Sequence, residues 1–166
     1  MARGLGGTWS GAVVVGSVTA IALTLDHLPA RVASHFDGAG LANGYSTRFE
    51  YAALLIGLTV LLGVLPAALI GILARRSPEL INVPNLAYWL EPERRAAAIR
   101  FLDQFANWLA AGSASFMVAV HFLLLRANAV SPPRLENRPF VALLIAFAVL
   151  LLAGIRALHR RFRLPG

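Results

Sequence analysis

The sequence predicts an all-α membrane protein, a four-helix transmembrane bundle with a structured, outward-facing loop between its first two helices. Three observations carry that prediction. The chain is 58% hydrophobic and only 14% charged over 166 residues, against roughly 45–50% and 25% in soluble chains. Its mean hydropathy of +0.68 requires that lipid solvate much of its surface. Four apolar runs, residues 9–28, 51–73, 105–125 and 140–158, are each long enough to cross ~30 Å of hydrocarbon at ~1.5 Å per residue. No soluble domain or repeat separates them, so residues 1–166 read as a single four-span domain.

The first run reads as a retained span rather than a signal peptide. Its charged leader is only Arg3, and LTLDHLPA offers no clean small-residue cleavage site. Leu28-Pro29 ends that helix. The connector that follows, LPARVASHFDGAGLANGYSTR, is rich in chemistry for a loop between apolar segments. Arg31–Phe36 is expected to be extended, while Asp37-Gly38 and Asn43-Gly44 are turn pairs that tolerate positive φ. A compact cap follows from this, with Phe36 and Tyr45 as apolar anchors.

Thr47 and Glu50 form a capping-box pattern at the start of the second helix, and Pro66 removes one bond from that helix's ladder. Pro92 suits the first turn of a helix that continues unbroken into the third span. Running to Arg126, it would be ~50 Å long, so its first turns project beyond the hydrocarbon. Tyr88, Trp89 and Trp108 are placed to anchor at the interface. Small residues recur every fourth position in Ala12, Gly16, Ala20, in Gly63, Ala67, Gly71, and in Ala111, Ser115, Ala119. In lipid such rows let helix backbones approach closely, within one chain or between chains.

The net charge of +7 is carried by Arg alone. No basic stripe carries interleaved aromatics, which excludes nucleic acid as a partner. Ten Arg fall on the tails and second loop: Arg3, Arg75, Arg76, Arg94, Arg95, Arg100, Arg156, Arg160, Arg161 and Arg163. Arg31, Arg48, Arg126, Arg134 and Arg138 fall on the other side. The positive-inside rule therefore puts both termini in the cytoplasm of a bacterial inner-membrane protein and turns the first loop outward.

The absence of Cys removes thiolate ligands and thiol nucleophiles together. No esterase elbow, phosphate-binding loop or dinucleotide fingerprint is present, so no catalytic residue and no cofactor is expected. His27, His35 and Asp37 combine imidazole and carboxylate, a weak metal pattern. The alternative is that His35 and Asp37 hydrogen-bond the loop backbone and fix its turn. Arg31 and Arg48 could also hold an anionic head group or peptide. In the third span, His121 reads first as a helix–helix hydrogen-bonding residue and second as a proton relay.

The first connector resembles the signature of domain-of-unknown-function family 1648, small bacterial membrane segments. The matching positions are Leu28, Pro29, His35, Phe36, Asp37, Gly40, Asn43, Gly44, Tyr45 and Arg48. The segment NVPNLAYW resembles a second motif of four-span members, through Asn82, Pro84, Asn85, Tyr88 and Trp89. SdpI-type immunity proteins, which protect a bacterium from a secreted killing peptide, are relatives. The resemblance implies a non-enzymatic protein whose outward loop, residues 29–49, binds a peptide, protein or lipid partner in toxin immunity or envelope sensing. Two other readings stand beside it: an accessory subunit or homo-oligomer assembled through Gly16, Gly63, Ala67 and Gly71, and a metal-dependent enzyme or small transporter.

Overall fold

The computed structural model describes residues 6–164. Arg3, counted above among the tail charges, lies outside the described residues. Helix α1 covers Gly6–Thr24 and closes in a single 3-10 turn, Leu25–His27. Strands β1, Arg31–Phe36, and β2, Ala42–Thr47, form an antiparallel hairpin. Helix α2 covers Arg48–Arg76, the one-turn helix α3 Leu86–Trp89, α4 Pro92–Asn128 and α5 Asn137–Arg161. The four long helices all have the length and apolar composition to cross a membrane. Helices α2, α4 and α5 contain the expected runs 51–73, 105–125 and 140–158 and extend beyond each, whereas the first helical segment ends with its 3-10 turn at His27, one residue short of the expected 28.

Local chemistry sets these boundaries. The capping box of α2 forms as its sequence predicts: the Glu50 N–H donates to Thr47 Oγ1 at 3.2 Å, and the Thr47 N–H donates to Glu50 Oε2 at 2.8 Å. The helix then continues through Pro66. Pro92 opens α4 at its first helical positions, with Glu93 in the first turn, where the helix dipole favours a carboxylate.

Helices α1, α2 and α4 pack on one another, and α5 lies along α4. The centre of the bundle is one face of α4, on which Ala98, Leu102, Ala106, Ala110, Ala114 and Met117 are buried. Small side chains at four-residue spacing let the neighbouring backbones close in. On α1 the buried row is Ser10, Val14, Ser17 and Ile21. Gly16 is not part of this row and, among the described residues, makes no helix contact within the chain. Gly16 is exposed, with no atom within 4 Å of where a Cβ would stand, because the packing face of α1 lies one position round the helix. Gly63 does pack: a Cβ there would lie 2.5 Å from Val14 Cγ2 and 3.6 Å from Ala114 Cβ. Trp108 packs on Gly154 of α5, a Cβ of which would meet its ring at 2.8 Å.

The hairpin occupies one end of the bundle. The loops between α2 and α4, and the end of α5, occupy the other. At that second end Phe162 is fully buried with Ala74, Val83, Ala98 and Leu102.

Candidate functional site

The hairpin is held to the bundle at several points. Arg48 donates from Nη1 to Asp26 Oδ1 at 3.0 Å and from Nη2 to the Leu28 carbonyl, tying the start of α2 to the end of α1. Asn128, at the end of α4, pairs with the β1 backbone as another strand would. Its Oδ1 accepts from the Ala33 N–H at 2.8 Å and its Nδ2 donates to the Ala33 carbonyl at 3.0 Å. The Leu135 N–H donates to the Gly40 carbonyl at 2.9 Å, and Asn137 Nδ2 donates to the Gly38 carbonyl at 2.8 Å. These bonds join the hairpin tip to the α4–α5 connection.

Within the hairpin, Asp37 is the turn residue. Its Oδ1 accepts from the N–H groups of Ala39 and Leu41, both at 2.9 Å, so its carboxylate is committed to the backbone. The left-handed position of the turn is Gly40, at φ 78°. Asn43-Gly44 is not a turn, contrary to its dipeptide signal. It lies inside β2, where Gly44 faces His35 across the strands. A Cβ on Gly44 would stand 2.9 Å from His35 Cβ. Glycine is required there because the His35 side chain occupies the space.

Several residues of the signature are left over. His35 is exposed and contacts only the neighbouring Ser34 hydroxyl, 3.1 Å from its Nδ1, as a polar partner. Asn43 is exposed. Tyr45 is 44% exposed, with the Arg31 guanidinium 4.6 Å from its ring centroid. Phe36 is half-buried. His35 therefore does not fix the loop backbone as expected. Nor is it brought together with His27 and Asp37: among the described residues no group of three His, Asp or Glu is placed to hold a metal.

The second motif closes on the chain's own C-terminal segment. Asn85, at φ 52°, donates from Nδ2 to the Phe162 carbonyl at 3.0 Å. Trp89 meets the Phe162 ring edge-to-face at 5.9 Å, with the Arg161 guanidinium 4.2 Å from the Trp89 centroid. Tyr88 carries Arg94 over its ring at 3.9 Å. Pro84 is half-buried and Asn82 exposed. Trp89 thus packs on Phe162 while remaining half-buried.

Beneath the hairpin, His121 is fully buried on α4. Tyr51 Oη of α2 lies 2.9 Å from its Nδ1, and Thr24 Oγ1 of α1 lies 2.8 Å from its Nε2. Thr24 itself donates to the Ala20 carbonyl at 2.6 Å. One assignment satisfies every group: Tyr51 donates to Nδ1, Nε2–H donates to Thr24, and Thr24 donates to Ala20. A neutral imidazole thereby joins three helices. Sequence reasoning anticipated a helix–helix role for His121. It did not anticipate Tyr51, Thr24, Asn128 or Phe162, whose only signal was polarity or aromaticity at the edge of an apolar run.

The fold and the fastened hairpin define a multi-pass membrane protein of the helical-bundle class. Residues 12–63 match the family model described as Domain of unknown function (DUF1648). This segment takes in most of α1, the hairpin and the first half of α2. The motif at 82–89 lies beyond it. Neither a curated protein nor a solved structure matches the chain.

Proposed function

We propose that this is a non-enzymatic bacterial inner-membrane protein whose extracytoplasmic hairpin binds a peptide or protein partner. The observation that carries the reading is the surplus chemistry of the hairpin. Asp37, Gly40, Gly44 and Arg48 are spent on its fold, whereas His35, Asn43, Tyr45 and Arg31 stand on its surface. A rigid scaffold presenting an exposed aromatic and polar side chains is what recognition of a peptide requires. With the hairpin outward by the positive-inside rule, its partner is extracellular or periplasmic. The family resemblance makes toxin immunity or envelope sensing the sharpest form of this role.

His35→Ala and Asn43→Ala test it in cells challenged with a secreted killing peptide, or by cross-linking from position 38, exposed at the hairpin tip with open space beside it. Both variants are expected to lose protection, or the discrete cross-linked adduct, at unchanged membrane abundance. Adducts to lipid alone, with protection intact in both variants, would sink the proposal. The accessory-subunit reading rests on Gly16, Gly63, Ala67 and Gly71. Gly63 and Gly71 face their own chain, towards Val14 and towards Arg75 and Asp103, so enlarging them disturbs the bundle before it disturbs any partner, whereas Gly16 is exposed.

A further inference from the structure

A groove of about 700 Å³ opens between α1 and α2, at the end of the bundle opposite the hairpin. It is within the roughly 300–1,000 Å³ range of ligand sites. Its lining has two parts. Val14, Val64, Ala67 and Ala68 form an apolar wall of small side chains. Arg75, Arg100, Asp103 and Gln104 form the polar end.

The polar groups are unequally committed. Arg75 donates from Nη2 to Asp103 Oδ2 and from Nη1 to the Gly71 carbonyl, both at 2.7 Å. Asn107 is likewise used, accepting from the Ser10 hydroxyl at 2.5 Å and donating to the Asp103 carbonyl at 2.7 Å. Asp103 therefore balances Arg75. Among the described residues Arg100 has neither an ion-pair nor a hydrogen-bond partner, and its charge at the groove is uncompensated. Gln104 is exposed beside it with its amide unused within the described chain.

The dimensions match the two parts of a lipid. From Gly63 to Arg75 along α2 is ~18 Å of helix, against ~15 Å for half the hydrocarbon thickness. An acyl chain laid on the small-residue wall would bring its head group to Arg100. A guanidinium binds a phosphodiester through parallel N–H donors, and an uncompensated cation favours a head group of net negative charge over a zwitterionic one.

We propose that this groove is a binding site for one anionic phospholipid, its acyl chain against Val64, Ala67 and Ala68 and its phosphate held by Arg100 and Gln104. This site is separate from the hairpin and does not depend on what the hairpin binds. The test is native mass spectrometry of the full chain in neutral detergent, titrated with phosphatidylglycerol or phosphatidylcholine of the same acyl composition. One phosphatidylglycerol is expected to bind at least tenfold more tightly than phosphatidylcholine. Arg100→Gln is expected to weaken it at least tenfold, and Ala67→Phe, which fills the wall, to abolish it. Arg95→Gln, a cation at the same end outside the groove, is expected to bind as the parent does. If Ala67→Phe does not elute as folded protein, Arg100→Gln and the lipid comparison decide alone. Equal retention of both lipids, or undiminished retention by Arg100→Gln, would overturn the proposal.

Discussion

Two glycines at the hairpin tip show how different neighbouring positions can be. Gly40 has φ 78° and its missing Cβ would run into the Leu135 carbonyl, where the tip joins the α4–α5 connection. Gly38 has ordinary φ and nothing within 4 Å of its Cβ direction. Gly40→Ala is therefore expected to destabilise the protein by about 1–3 kcal/mol, the cost of a non-glycine residue held in that region. Gly38→Ala is expected to stay within about 0.5 kcal/mol of the parent. Denaturant unfolding in detergent checks both. Equal effects would mean that the tip is not held as described. The same residue-by-residue accounting separates the signature into fasteners and surplus. Asp37 and Arg48 have every reason to be present without any ligand. His35 and Asn43 have no such reason.

At the scale of elements, α1, α2 and α4 are joined through His121. Removing one partner leaves a buried polar atom unpaired, which costs about 1–3 kcal/mol. Tyr51→Phe does this to Nδ1 and is expected to destabilise the bundle by that amount. Tyr51→Phe combined with His121→Leu is expected to cost less than the two changes added, because the second removes the atom that the first left unsatisfied. Strict additivity in thermal or denaturant unfolding would show that the three groups do not act as one network. Much of the element structure was legible in sequence. The capping box at Thr47 and the Pro92 helix start rest on residues within one turn of each other, and the extended Arg31–Phe36 segment pairs with the neighbouring strand of its own hairpin, 6 to 16 residues on. The packing faces were not. In a membrane helix both faces are apolar, so hydropathy does not say which turns inward. Rows of small residues therefore overlap on adjacent faces: Ala106, Ala110 and Ala114 are buried, while Ser115 is exposed. The two fasteners that were missed link residues 95 apart, Asn128 with Ala33, and 77 apart, Asn85 with Phe162. No local pattern encodes such pairs.

At the scale of the whole molecule, the two signature motifs sit at opposite ends of α2, a helix of 29 residues and so ~43 Å long. One motif builds the hairpin end. The other clamps Phe162 at the far end, where Arg161 lies over the Trp89 ring. Charge separates the ends: among the described residues nine Arg lie in the C-terminal tail and second loop and five around the hairpin. Positive residues are held back on the cytoplasmic side during insertion, so this bias predicts a single orientation with the hairpin outside. The absence of Cys makes the prediction easy to read, since any thiol is the one introduced. Asn43 and Asn82 are both exposed, one at each end. In intact cells stripped of any outer membrane barrier, a membrane-impermeant maleimide is expected to label Asn43→Cys and to leave Asn82→Cys untouched until the inner membrane is opened. The reverse pattern would keep the fold but place the hairpin in the cytoplasm, and an extracellular peptide would then never meet His35. Labelling of both positions in intact cells would mean that the Arg asymmetry does not fix the orientation. Replacing Arg75, Arg76, Arg94 and Arg95 by Gln removes most of the bias from the second loop. If charge is the determinant, that variant shifts towards mixed labelling at both positions, because the remaining imbalance no longer separates the two ends.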